Sequence, residues 1–407
     1  MELRFQPSPP DHVPPELMVD FDFFKVPPGV ADPSEIWTSL IRKGVPKIFY
    51  TPHNGGHWVF TEYADITDGF RNYSIFSNHQ TPVPPIEPYP VMQPQGVDPP
   101  AHKVFRSLLA PMFTPIAVRE MTQEIQRRAI KLIDAIADKG ECDFVEDFAD
   151  VFPTSMFLYL FGMPESRLGD FRQLSQTFFR STDPDVRAKN ITDIYAELDA
   201  LFRERQQNPG SDLASAIVTA RNEAGEQHDW QDILNAGFLL FVAGLDTVTN
   251  TITLVWRYLA ANPEARQFFV DNFDDPVAFQ NGTEELLRIN SVANIFRRVA
   301  EDCEYQGVKL RRNDRIVLSG VLANRDPKVF VDPETIDLDR EVNVHTAFGV
   351  GPHRCVGSHL AKREIIVALQ EWLRRIPVFQ LDPNKSQGNV LTGSTMGFST
   401  LNLSWER

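Results

Sequence analysis

Cysteine is scarce in this sequence: three residues in 407, at positions 142, 303 and 355. An odd, widely separated set supports neither a disulfide framework nor the paired ligands of a zinc site. It fits a reducing, cytosolic compartment. Positive charge is also in short supply. Forty Lys and Arg stand against 55 Asp and Glu, a formal net charge of −15, which argues against nucleic-acid binding through the bulk field. The N-terminal stretch MELRFQPSPPDHVPPELMVDFD has no basic segment followed by an apolar core, so a secretory signal is not expected. No run reaches the roughly 18 consecutive apolar residues of a membrane span. Internal repeats and low-complexity linkers are missing too. The expectation is a soluble, cytoplasmic protein that binds neither membrane nor nucleic acid.

Apolar residues are plentiful, at 42% of the chain, enough for a large core. Length alone suggests about two or three domains, yet the pattern is continuous and argues for one catalytic unit over 1–407. Residues 1–35 form a Pro-rich arm. Short strands are expected at Lys47–Tyr50, His57–Phe60, Val308–Leu310, Arg315–Ser319 and Leu401–Trp405. The prolines between Thr81 and Pro100 preclude a helix there and predict a long loop. From Ala101 to about Gln280 apolar residues recur at spacings of three and four, as in Ile125, Ala129, Leu132 and Ile136, and predict helices. The run breaks at Asn208-Pro-Gly-Ser211. A long helix from about Trp230 to Ala260 follows, apolar nearly all round and therefore buried on several sides. An amphipathic helix follows Cys355. The fold class is mainly α with small β-sheets.

Three locally expensive features mark candidate sites. The first is Phe348-Gly-Val-Gly-Pro-His-Arg-Cys355-Val-Gly357, directly before a helix. Its glycines let the backbone turn sharply and approach a flat ligand, and a helix N-terminus favours a thiolate. The bland alternative is a buried structural cysteine beside a turn. The second is Ala243-Gly244-Leu245-Asp246-Thr247 in the middle of the apolar helix. An acid and an alcohol there are costly unless hydrogen-bonded, and the glycine lowers helix stability by about 1 kcal/mol relative to Ala. Thr247 can bond back to the Ala243 carbonyl; the pair suits proton delivery, or else merely kinks the helix. The third is Glu285-Leu-Leu-Arg288, which by itself reads as an ordinary i, i+3 ion pair.

The sequence resembles the cytochrome P450 family. Phe348, Gly351, His353, Cys355 and Gly357 match its heme-binding loop, and the order Glu285–Arg288, Ala323-Asn-Arg325-Asp-Pro, Asp332-Pro-Glu-Thr, Cys355 matches its core. The resemblance runs from about Phe60 to Trp405 and is nearest to the bacterial camphor-hydroxylase group, through LDTV, EELLR and AKREIIVALQEWLRRIP. It implies heme b held between the long helix and the cysteine loop, with Cys355 as the iron ligand. It further implies Asp246 and Thr247 as the oxygen-activating pair beside Ala243 and Gly244, and Glu285 and Arg288 as structural. His102, Arg106, Arg297 and His353 become candidate partners of the heme propionates.

The same resemblance implies a 2Fe-2S ferredoxin, reduced by an NAD(P)H-dependent flavoprotein, as a separate electron donor. Lys103, Arg106, Arg354, Lys362 and Arg363 offer a basic patch for it. The chain is expected to be monomeric and to hydroxylate a monoterpenoid or norisoprenoid with O2. Met92, Leu239, Val242, Ala243, Ala293, Thr395 and Met396 are the expected pocket. Tyr89 stands near the substrate-binding tyrosine of the camphor enzymes but out of register, between Pro88 and Pro90, and is expected to face outward. Competing readings are a peroxide-driven heme-thiolate peroxygenase and a non-enzymatic heme ligand sensor. Neither has a use for the Asp246–Thr247 pair.

Overall fold

The computed structural model describes residues 9–79, 81–85, 89–181, 183–222 and 224–406. Pro88, invoked above beside Tyr89, lies outside them. Helices dominate, and the longest is Trp230–Ala261. Its N-terminus is capped by the Asp229 carboxylate, which accepts from the Gln231 N–H, and it stops at Asn262 before Pro263. Ile233, Phe238, Phe241, Ile252 and Trp256 are wholly buried. Four threonines along it donate to carbonyls four residues back, among them Thr247 to Ala243 at 2.8 Å and Thr251 to Thr247 at 2.7 Å. The helix is long and apolar enough to cross a bilayer, although 56% of its most apolar window is buried inside the fold. This qualifies the sequence expectation: Asn, Asp and Thr interrupt the apolar run without lowering its mean hydropathy far.

Helix Ser358–Arg375, which follows the cysteine loop, packs against helices Pro115–Ala137 and Pro276–Ile289. Its Trp372 makes an edge contact with Trp256 of the long helix, ring centres 6.0 Å apart. Such aromatic contacts add about 1 kcal/mol beyond area burial.

A five-stranded sheet draws its strands from both sides of the main run of helices. Its order is Ile48–Thr51, His57–Phe60, Arg315–Ser319, Asn294–Val299, Phe76–Ser77. Trp58, Val59 and Phe60 pair in parallel with Ile316, Val317 and Leu318, and Arg297 lies antiparallel to Ile316. The expected strands at His57–Phe60, Val308–Leu310 and Arg315–Ser319 are found at those bounds; the first is shifted to Ile48–Thr51 and the last shortened to Asn402–Ser404. Strand Asn294–Val299 carries two arginines in six residues and gives no alternating pattern. Helices Ser34–Lys43 and Tyr63–Arg71 also went unread. The first ends on Gly44, which adopts the left-handed conformation with φ 62°.

The apolar residues form two large clusters, one within the helices and one around this sheet. The functional cavity takes wall residues from both, including Leu239 and Leu360 from the helical side and Phe70 from the sheet side.

Candidate active site

The cavity holds about 310 Å³. The long helix lines it with Leu239, Leu240, Ala243, Gly244, Thr247 and Val248, and the cysteine loop lines it with Phe348, Cys355 and Gly357. The loop is closed by a hydrogen bond from the Cys355 N–H to the Phe348 carbonyl at 2.9 Å. Gly351 has φ 78°, and a Cβ there would stand 3.1 Å from Arg71 Cα and 3.2 Å from the Phe70 carbonyl oxygen. Both the backbone angle and the crowding require glycine.

Cys355 is exposed toward the cavity. The loop's setting was expected to lower its thiol pKa, and the balance goes the other way. Burial raises it, and this outweighs the Gly357 N–H and the charges of Arg106 and Arg354, which lower it. A bound metal reverses that balance through its own charge, because a coordinating thiol is deprotonated outright.

Arg297 is 2% exposed and lines the cavity. One terminal nitrogen donates to the Phe296 carbonyl at 2.8 Å, and the guanidinium lies 5.4 Å from the Phe70 ring centre. Its Nε is buried without a partner, and burial pushes its pKa down to about 10 against the pull of Asp98. A cation so placed needs an anion to offset its desolvation. His102 and Arg106 line the same cavity. Burial lowers the pKa of both; Arg106 adds to the effect at His102.

The fourth propionate candidate is engaged differently. The His353 ring lies against that of His102, centres 4.2 Å apart and planes tilted by 50°. Its Nε2 lies 2.8 Å from the Val97 carbonyl oxygen and its Nδ1 lies 3.2 Å from Asn78 Nδ2. That arrangement assigns the proton to Nε2 in a neutral ring, and burial lowers its pKa to about 4. His353 is therefore a neutral tie from the cysteine loop to Asn78 and Val97, with both nitrogens occupied. Asn78 escaped the sequence reading. It lines the cavity and is itself held by Asp98, whose carboxylate accepts from the Asn78 N–H at 3.0 Å. The Asp98-Pro-Pro signature was legible; its partner twenty residues upstream was not.

These features fit heme: a cysteine facing an apolar cavity, glycines where backbone must come close, and a buried guanidinium with an orphan N–H where a propionate can sit. A profile of the cytochrome P450 family matches residues 279–404. Over 97% of this chain and 96% of its own length, the probable cytochrome P450 127A1 of Sinorhizobium fredii is 37% identical.

The chain belongs to the cytochrome P450 family.

Nocardicin C N-oxygenase of Nocardia uniformis is 32% identical over 81% of this chain and 84% of its own. The crystal structure of cytochrome P450 CYP101C1 superposes with a TM-score of 0.90 at 30% identity, covering 98% of this chain and all of that one. That of CYP101J2 gives 0.88 at 28%, with the same coverage. The fold is thus the P450 fold, the cofactor heme b, and the enzyme a P450 monooxygenase.

Within this P450, Asp246 and Thr247 point to different places. Thr247 lines the cavity, and its hydroxyl donates to Ala243, which leaves the oxygen as an acceptor. The Asp246 carboxylate accepts from Thr395 Oγ at 2.6 Å and from Asn250 Nδ2 at 2.9 Å. Burial raises its pKa to about 6, opposed by Thr395, Arg180 and Asn250. Thr395 was expected in the pocket and instead holds Asp246. Its neighbour Met396 is wholly buried in the sheet-side cluster, because successive side chains of an extended segment face opposite ways. Thr395→Val removes one of the bonds that lowers the Asp246 pKa, so the titration midpoint should move further up. Difference infrared spectroscopy against Asp246→Asn checks this; an unmoved midpoint would show the contact to be unimportant.

Of the other expected pocket residues, Leu239, Ala243 and Ala293 line the cavity. Met92 is buried in the helical core, and Val242 packs against that core from the side of the long helix turned from the cavity. Tyr89 does not face outward: it is half-buried against the helical core, and burial raises its pKa. It is not among the cavity-lining residues described.

Glu285 and Arg288 are both fully buried. The guanidinium donates twice to the carboxylate, at 2.8 and 2.7 Å, and reaches the carbonyls of Asn324, Pro333 and Thr335. Glu285 also accepts from the Asp337 N–H, Arg340 and Asn343. By spacing alone an ordinary i, i+3 pair, and structural by the resemblance, the two residues are the hub of the segment leading to the cysteine loop.

Proposed function

We propose that this P450 hydroxylates a small, largely apolar substrate of the monoterpenoid or norisoprenoid class, such as a camphor-, cineole- or ionone-like compound. Electrons come from a 2Fe-2S ferredoxin and its NAD(P)H-dependent flavoprotein reductase, and the enzyme works as a cytoplasmic monomer. The observation that carries this reading is the apolar lining the cavity has around the Ala243–Thr247 stretch, where Leu239, Leu240 and Val248 of the same helix join Met156, Phe157 and Leu160, while heme would take the part against Cys355. The likeness of LDTV, EELLR and the helix after Cys355 to the camphor-hydroxylase group supports the substrate class.

Each residue then has a role. Cys355 would ligate the iron, with the Gly357 N–H directed at its sulfur. Arg297, His102 and Arg106 would hold the propionates, while His353 and Asn78 tie the cysteine loop beside them. When bound, the heme supplies the oxygen activation that no side chain can perform. Apolar walls exclude water, and Thr247 presents its hydroxyl oxygen beside the reacting centre. Asp246, raised by burial to a pKa of about 6, takes up a proton just below neutral pH and passes it inward by exchanging Thr395 and Asn250 for Thr247 or a water. Lys103, Arg354, Lys362 and Arg363 present the basic face to the ferredoxin; Lys362 is partly tied to Glu284, at 2.5 Å.

Thr247→Ala should still bind substrate and consume NADH while releasing mostly hydrogen peroxide. Asp246→Asn should slow turnover itself, by roughly the 10²–10⁴-fold typical of a lost general acid. Product per NADH, measured with reconstituted ferredoxin and reductase, separates the two; full coupling in Thr247→Ala would return the pair to a structural role. The substrate class is tested by screening terpenoids for the low-spin to high-spin shift of the heme spectrum. A panel without any responder, alongside responses to large polar compounds, would overturn it.

A further inference from the structure

Along helix Ser358–Arg375 the cavity-lining residues are Leu360, Ala361, Glu364 and Ile365. Three are apolar. The fourth is a carboxylic acid that is only 3% exposed. Among the described residues no charged or hydrogen-bonding group acts on Glu364, and burial is the sole influence on its ionisation. The charged groups of the elements packed around it are committed elsewhere. Arg128 pairs with Glu124 on helix Pro115–Ala137. On helix Pro276–Ile289, Glu284 is held by Lys362 and His345, and Glu285 by Arg288. Glu371, further along the same helix, is taken by Arg375 and Gln126. Across the loop, Arg106 and Arg354 act on Cys355.

Buried acids normally have partners, and one without any is the form of carboxyl that stays protonated. Burial raises the Glu364 pKa to about 8. Neither the ligand set, the proton relay nor the ion-pair hub described above uses it.

We propose that Glu364 is a redox-tuning residue: a neutral carboxylic acid beside the bound heme, whose ionisation makes the heme harder to reduce. The proposal rests on the reading that Cys355 holds heme in this cavity. A negative charge near a buried one-electron centre opposes the arrival of an electron, and the low dielectric strengthens the effect. On the alkaline side, one electron from a reduced mediator or ferredoxin arrives while one proton from water adds to a Glu364 carboxylate oxygen. On the acid side the carboxyl already carries its proton, and the electron arrives alone. No other bond changes.

The test is a spectroelectrochemical titration of the holoenzyme at a series of pH values. The wild-type potential should be flat through neutrality and fall above about pH 8. The limiting slope is a tenfold change in the reduction equilibrium per pH unit, about 59 mV for one electron. Glu364→Gln keeps the shape without the ionisation and should hold the neutral-pH potential across the range. The same alkaline fall in Glu364→Gln, or none in the wild type, overturns the proposal.

Infrared spectra of the wild type give a measure that does not depend on the variant. A deuteration-sensitive carboxylic C=O stretch should vanish through the same midpoint, well above the one expected for Asp246; its absence also overturns the assignment. The reduced carbon-monoxide band of the same samples reports separately on Cys355. A band away from the thiolate position removes the heme reading and this proposal with it, whereas a flat potential under a thiolate band removes the proposal alone.

Discussion

Cys355→Ser should abolish monooxygenation, and the red-shifted Soret band of the reduced carbon-monoxide complex should disappear with it. That band reports thiolate ligation, in which the sulfur pushes electron density toward O–O cleavage. A serine hydroxyl at the same place is a poor iron ligand with no comparable push. Cys355→His should move the band to the position of histidine-ligated heme. The controls are the other two thiols. Cys142 lies buried in the helical core, where desolvation holds its thiol protonated, and Cys303 sits on the two-stranded ribbon with Val308–Leu310. Cys142→Ala and Cys303→Ser should keep the band. A thiolate spectrum surviving in Cys355→Ser, or lost in either control, would refute the ligand assignment.

Arg288→Ala should be the most destabilising single change outside the cofactor site. It leaves the Glu285 carboxylate at zero exposure with only Arg340, Asn343 and the Asp337 N–H, and it strips a donor from three backbone carbonyls. Breaking a buried pair by removing one partner costs about 3–5 kcal/mol, a large share of the roughly 5–15 kcal/mol by which domains are stable. Arg288→Lys should also cost stability, since an ammonium cannot reproduce the two-pronged bond to Glu285. Denaturant unfolding of the apoprotein and heme content after purification measure the loss. Wild-type stability together with full heme content would contradict the role.

The pair also has a pH signature. Burial by itself raises the Glu285 pKa, and the hydrogen bonds from Arg288, the Asp337 N–H and Arg340 more than offset it, so the net shift is downward. A depressed carboxylate contributes stability that is complete above its unfolded pKa and is lost as pH falls through the folded value. Acid unfolding should therefore begin at higher pH in Arg288→Ala than in the wild type.

What the sequence determined by itself was local or contiguous. The 3.6-residue recurrence predicted the helical mass, and the Asn262-Pro263 and Asn208-Pro-Gly breaks marked helix ends, because periodicity and chain-breaking chemistry are written within a few residues. The loop from Phe348 to Gly357 identified the family, since glycine spacing, cysteine and following helix lie in one decapeptide. Tertiary structure alone decided how distant polar groups meet. Thr395 reaches Asp246 across 149 residues, and Asn78 reaches His353 across 275; neither partner has a local signal.

Strand Asn294–Val299 was hidden because its two arginines break the alternation of an ordinary strand. One of them is buried, where it can meet a propionate. Tyr89 turned inward against an expectation built on flanking prolines, because its environment is set by helices far along the chain. Only the fold could decide the state of the Cys355 thiol. A helix N-terminus and nearby arginines favour ionisation and are legible in sequence; desolvation opposes it and exists only once the chain has folded into the apolar cavity that the sulfur faces.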